Sequence, residues 1–365
     1  MNRILPVTFG GLVLCALSWH LTAGEGKKAA PLRPLLLAGA VATPTPTAPK
    51  LSGKLVFQRF KKDTSDPEVS SLYLYDFATR RLTLLSANWN IQYPRNAHFS
   101  PDGKKLVFMG IQNARTSWDV FVWTVGSSAK PVNLTGDSSN EGIRDEDPKF
   151  SPDGKTIAFK RGPRDKGDLY LMKADGTNIR PVVLNEPFIE RSAPFFTRDG
   201  RYLLYFQGVG ANEGVYRCPI GGKTSQVLDD DPGVQEYYPV MWKPSTALYV
   251  KWGDERKLDQ VCSINFNSAT KNPVFLPFND PNTENADPYP ANDRYVFFSS
   301  KRSGTKGGYD LYLGDSTKNQ VWTMQSLGAV GLNSTDGELG VTYSPPQPTS
   351  TTNLSSPSFD SSNRN

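Results

Sequence analysis

Histidine and cysteine are scarce: the 365-residue chain has two histidines, His20 and His98, and three cysteines. A multi-histidine metal centre is thereby excluded, and a Ser-His-Asp triad would rest on His98 alone, because His20 falls in an N-terminal leader. The G-x-S-x-G elbow, the P-loop, the Gly-rich dinucleotide fingerprint and the CxxC pair are also missing. After residue 50 no stretch carries an i, i+3, i+4, i+7 apolar stripe, so long amphipathic helices are not expected. Nucleic acid is not an expected partner: residues 1–50 carry four of the five net positive charges, and the remainder is nearly neutral.

What is present points to short strands and turns. Aromatic residues make up 11%, with 31 Gly and 29 Pro, a composition suited to strands separated by tight turns. Arg3 followed by the apolar run Ile4 to Leu21 and the small residues Thr22, Ala23 and Gly24 reads as a signal peptide over residues 1–24. Cleavage is expected near residue 23 or near residue 42; a retained anchor is the alternative, and it would be the chain's one membrane contact. Residues 25–52 read as a Pro/Ala/Thr-rich linker, and 345–365 as a disordered Ser/Thr/Pro tail. The folded unit is then 53–344. Beyond Cys15 of the leader, Cys218 and Cys262 fall in equivalent strands of adjacent repeats. Two buried thiols is the reading taken, with pairing as the alternative.

Those repeats are visible directly. "FSPDGKKLVF" begins at Phe99, "FSPDGKTIAF" at Phe150, and the degenerate "FTRDGRYLLYF" at Phe196. Relics follow at Ser245-Thr246, Asn292-Asp293 and Asp336-Gly337, spaced 44 to 51 residues apart. In Ser-Pro-Asp-Gly, Pro presets φ, Asp accepts a local backbone bond and Gly supplies positive φ, which suits a type I turn with a G1 bulge between antiparallel strands. Asp102, Asp153 and Asp199 are accordingly read as turn residues. Each of the first five copies is followed by a β-rich run, a variable loop, a strand such as "DLYLM" (168–172) and, in most units, a short closing strand. The expected fold is an all-β, six-bladed β-propeller of four-stranded antiparallel blades, with seven blades as the alternative. The first blade lacks its innermost strand, and "VGLNSTDGELGVTYS" near the C-terminus is expected to supply it and close the ring.

"HFSPDGKKLVF", "DPKFSPDGKTIAFKR", "GDLYLMKADG" and "YVFFSSKRSGTKGGYDLYLGD" resemble the TolB-type β-propeller repeat family of bacterial envelope proteins. That resemblance covers roughly residues 53–344. It implies a propeller in the periplasm or outside the cell, with partners docking at one mouth. In TolB itself an α/β domain precedes the blades, where this sequence shows only leader and linker.

Strand direction places the Ser-Pro-Asp-Gly turns on one rim and the starts of the innermost strands, with the long second-to-third-strand loops, on the other. The second rim holds Arg95 and Asn96, then Arg144, Asp145, Glu146 and Asp147, then Glu190 and Arg191, then Glu236, Tyr237 and Tyr238, then Glu284 and Asp287. Its outer loops are basic: Lys61, Lys62, Arg161, Arg164, Lys166, Arg256, Lys257, Lys301, Arg302 and Lys306. An acidic, Tyr-bearing mouth ringed by basic loops is expected to bind an envelope protein or peptide, with a glycan as the alternative, as a monomer with no cofactor, metal or catalytic residue. His98 is read as a pore-lining or hydrogen-bonded residue. The alternative is a carbohydrate-active enzyme using Asp147, Glu190, Glu236 or Asp287. A cation held by Asp145 to Asp147, or by the "DDDPG" run at Asp229 to Gly233, lacks the usual loop spacing.

Overall fold

The structure, a computed structural model, describes residues 47–62, 69–112, 117–136, 142–186, 190–210, 212–253 and 257–347. The expectations for the leader, most of the linker, Arg256 and nearly all of the tail lie outside the described residues. The chain divides into a short unit, Met1–Thr47, and a second, Ala48–Asn365, that holds every strand described below.

The second unit is all-β. Strands β1 (Lys54–Phe60), β2 (Ser70–Asp76) and β3 (Arg81–Leu84) begin the first sheet. The next meander is β4 (Ile91–Phe99), β5 (Lys105–Gln112), β6 (Asp119–Thr124) and β7 (Val132–Asn133). It is followed by β8 (Arg144–Phe150), β9 (Thr156–Gly162), β10 (Asp168–Lys173) and β11 (Arg180–Pro181). Strands β12 (Arg191–Phe196), β13 (Tyr202–Val209), β14 (Asn212–Pro219) and β15 (Gln226–Asp229) form another. So do β16 (Gln235–Lys243), β17 (Thr246–Trp252), β18 (Gln260–Asn265) and β19 (Val274–Phe275). A parallel pair, Glu213 with Gln235, fuses these last two into one eight-stranded sheet. The last meander is β20 (Asn285–Pro290), β21 (Tyr295–Ser300), β22 (Asp310–Asp315) and β23 (Val321–Thr323). Finally β24 (Gly337–Ser344) pairs antiparallel with β1 and completes the first sheet as a four-stranded one.

Successive sheets stack face to face as in a β-propeller. The apolar clusters show it: Val56 and Leu72 pack with Phe99 and Phe108 of the next sheet, Ala158 and Leu169 with Tyr205 and Cys218, Leu248 and Val261 with Phe298 and Tyr312. Phe297 and Leu313 then pack on Leu55 and Phe57 of the first sheet. Second strands are buried on both faces for this reason, as in β5, where Leu106 to Ile111 are all buried. Innermost strands β4, β8, β12, β16, β20 and β24 each lie beside the next, and β24 lies beside β4. Cys218 and Cys262 are buried free thiols in different apolar clusters.

The repeated phrase forms the turn its chemistry dictates. Ser100 Oγ donates to Asp102 Oδ1 at 2.6 Å, the Lys104 amide donates to the same oxygen at 3.1 Å, and Gly103 has φ +67°. Ser151–Asp153 with Gly154 and Thr197–Asp199 with Gly200 repeat the pattern. The hydroxyl bond lowers all three carboxyl pKa values. One relic was misplaced: Asp336-Gly337 opens strand β24 instead of forming its hairpin. Tyr343-Ser344-Pro345 occupies the position of Phe-Ser-Pro, and the absence of Asp-Gly after it concealed the true copy.

Candidate functional site

Each innermost strand is interrupted at the same point. Asn96, Asp147, Ala193, Tyr238, Asp287 and Gly340 have φ of +52°, +54°, +48°, +50°, +47° and +59°. Each stands three residues before the position that Phe99, Phe150 and Phe196 occupy in their strands. The ladder to the second strand slips at each of these points, the mark of a β-bulge. A left-handed conformation costs an L-residue about 1–2 kcal/mol, so its recurrence through the whole ring is a designed feature. A bulge of this kind re-aims the side chains beside it.

The bulges surround a cavity of about 310 Å³ whose wall includes Asn96, Asp147, Ala193, Tyr238, Asp287 and Gly340. In chain order around the ring, Asp147 and Asp287 stand three strands apart, as do Asn96 and Tyr238. Asn96 donates from Nδ2 to Asp147 Oδ1, and its amide donates to Gln58 Oε1 at 2.6 Å. Asp287 Oδ2 accepts the Gly340 amide at 3.0 Å. Burial lifts the Asp287 pKa to about 6, against that amide bond and with help from the Asp147 charge. At Gly340 a Cβ would lie 2.5 Å from the end of the Gln58 side chain and displace it.

Two residues deeper along five of the six strands, His98, Lys149, Phe195, Val240 and Tyr289 line the same cavity. His98 Nδ1 accepts the Phe150 amide at 3.2 Å, which places the imidazole proton on Nε2. Burial, with the Lys149 charge, lowers its pKa to about 3. The ring packs edge-on to Phe195 and Tyr289 at 5.4 and 6.4 Å. Lys149 is the one cationic side chain in the cavity wall, and no ion pair to it occurs among the described residues. Burial lowers its pKa and Asp147 opposes the shift. On the side wall, Tyr237 donates its hydroxyl to Asp259, whose pKa burial raises to about 6.

The expected mouth residues thus divide. Asn96, Asp147, Tyr237, Tyr238 and Asp287 meet at the cavity. Arg95, Arg144, Glu146 and Glu190 line an adjoining recess of about 440 Å³ that shares Asn96, Asp147 and Tyr238 with it. There Lys160 lies 3.1 Å from Glu146 and also bonds Glu190, Arg144 Nε donates to Glu146 at 2.9 Å, and Arg95 stacks on Trp118 at 4.4 Å. Three others lie within the sheets. Asp145 accepts two bonds from Arg161 at 2.7 and 2.9 Å, and Arg191, 2% exposed, donates to both Asp168 oxygens at 3.1 Å. Glu236 is fully buried and paired with Lys251 at 2.8 Å. Glu284 caps the Asp259 amide at 2.7 Å and is no part of the cavity wall. The bulge explains the split, because it reverses which residues of each strand start face the axis. Lys149, Asp259, Tyr289 and Gln58 went unread as site residues; the recurrent x-Pro step at Asp147-Pro148, Ala193-Pro194, Tyr238-Pro239 and Asp287-Pro288 was the available signal.

The Asp229, Asp231 and Glu236 carboxylates come close enough together to hold a metal ion. The Lys251 ammonium already stands among them, at 2.8, 2.7 and 2.8 Å. Burial would lower its pKa, but bonds to Asp229, Asp231 and Glu236 raise it.

No family model and no curated protein matches this chain. Solved structures do. TolB from Acinetobacter baumannii is 17% identical, with a TM-score of 0.60 over 82% of this chain and 68% of that one. The fold is a TolB-like β-propeller. A protein assigned as TolB from Agrobacterium tumefaciens is 15% identical at a TM-score of 0.53, over 80% of this chain and 99% of that one. Hydrazine synthase of Kuenenia stuttgartiensis is 14% identical at 0.63, over 81% of this chain and 48% of that one. A TolB and a hydrazine synthase on one architecture show why the fold alone carries no activity.

Proposed function

We propose that this chain is an exported, six-bladed β-propeller, with no catalytic centre of its own, that binds a protein or peptide partner in the cell envelope through its channel mouth. In this reading each half of the eight-stranded sheet is a blade, the folded domain spans 53–344, and the leader delivers it to the periplasm or beyond. The observation that carries the reading is the ring of bulges, which presents Asn96, Asp147, Tyr238 and Asp287 on rigid strands above a mostly apolar cavity. Such a preorganised wall, apolar with a few convergent polar groups, is how binding pockets are built. Capture from an envelope extract tests it: the partner recovered by the wild type should be lost with Asp147→Asn, Tyr238→Ala and Asp287→Asn combined, and retained with Glu284→Gln. Equal recovery by the ring variant overturns the assignment.

A second reading rests on Asp287, a carboxyl pushed up to about 6 in a channel that also carries Asp147. A proton-bearing acid near a second carboxylate is the arrangement of a glycan-cleaving enzyme. Polysaccharide breakdown that disappears in Asp287→Asn would replace the binding reading with this one.

A further inference from the structure

The channel is polarised along its axis. The bulge residues, its upper level, carry the carboxylates Asp147 and Asp287, and Asp259 stands on the side wall; the lower level, two residues further along the strands, carries none, its polar groups being the Lys149 ammonium, the His98 Nε2–H and the Tyr289 hydroxyl, which bonds Thr342, set among Phe195 and Val240. We propose that the lower level receives the C-terminal carboxylate of a peptide, which enters carboxylate first. This deepens the partner-binding reading and rests on it.

Three features fix the class of ligand. Lys149 Nζ has as its hydrogen-bond partner the carbonyl of its own neighbour Pro148, at 3.3 Å, so it retains donors for an incoming anion. Lys149 is the single ammonium in a described wall that also holds Asp147, Asp259 and Asp287, so at most a monoanion can be accommodated, bonded directly to Nζ; a phosphate dianion would be left uncompensated. The levels are two strand residues apart, roughly 6–7 Å, so a ligand with its carboxylate on Lys149 presents its preceding residues to Asp147, Asp287 and Tyr238. Those acids favour a basic side chain or backbone amides there. Phe195, Val240 and Tyr289 favour an apolar last residue. A free carboxylate small molecule would use the lower level alone and leave most of the cavity wall untouched.

The test uses randomised octapeptides, synthesised once as free acids and once as C-terminal amides, captured by the immobilised protein and counted by mass spectrometry. Free acids should be enriched over amides by about tenfold, the worth of one charge-assisted hydrogen bond. Lys149→Gln should abolish that preference, and Lys149→Arg, which keeps the charge, should retain most of it. Equal capture of acids and amides, capture of neither, or an acid preference that persists in a folded Lys149→Gln protein overturns the proposal. If that happens while the Asp147/Tyr238/Asp287 variant still loses its envelope partner, the mouth remains a docking site and only the carboxylate assignment falls.

Discussion

At the scale of single residues, two buried titratable groups, Lys251 and His98, tie stability to pH. Lys251 is the cation for Asp229 and Glu236, which are 7% and 0% exposed, as well as for the open Asp231. Lys251→Met strands two buried carboxylates and should lower stability by about 3 kcal/mol, the low end for a broken buried pair. The loss should be smaller at pH 5.5 than at pH 8, because burial lifts the Glu236 pKa to about 7 and protonation relieves it. Urea midpoints at the two pH values check this. His98 works in the opposite direction. Its folded pKa near 3 lies below the 6.5 of an open chain. The stability it confers is present in full above pH 6.5 and is lost as pH falls from there toward 3. Around it are Lys149, Phe195, Tyr289 and the Phe150 amide, none of which stabilises an imidazolium. His98→Gln should therefore flatten the fall in urea midpoint between pH 6.5 and 4. An unchanged slope would show that other groups set it.

At the scale of elements, the bulged strand matters more than any one side chain in it. Gly340→Ala puts a methyl group 2.5 Å from Gln58 and an L-residue at φ +59°. A loss of about 2 kcal/mol is expected from strain and displacement, together with loosening of the Gln58 bond to the Asn96 amide, and thermal melts measure it. The same element marks the limit of what the sequence discloses. Hairpins were legible because Pro, Asp and Gly each have one conformational job there, and the Ser100–Asp102 and Ser151–Asp153 bonds perform it. The bulges were harder to read, because Asn, Asp, Ala, Tyr and Gly share no side-chain chemistry; the backbone angle they share shows in the sequence only through the proline that follows four of the six. Hence Asp145, Arg191 and Glu236 read from the sequence as mouth residues although they sit inside the sheets, while Lys149 and Asp259 passed unnoticed.

At the scale of the whole molecule, integrity depends on one long-range pairing. Strand β24 shields the open edge of β1, and Glu338, fully buried, accepts from Arg59 at 2.7 Å across that seam. A chain ending at residue 347 should melt like the full protein and elute as a single species. One ending at residue 336 exposes the β1 edge and the apolar surface beneath it, and should elute as aggregates on size-exclusion chromatography. Matching profiles for the two truncations would show that the seam is dispensable.

That seam also governs timing. Its partners are 279 positions apart, among the most distant a chain of this length can bring together, and contacts so far apart slow folding. During synthesis the first sheet must wait, three strands wide, until Gly337–Ser344 has emerged. Ring closure therefore waits for every other strand of the fold, and the interval before it is when these sheets are most exposed to proteolysis and misassociation.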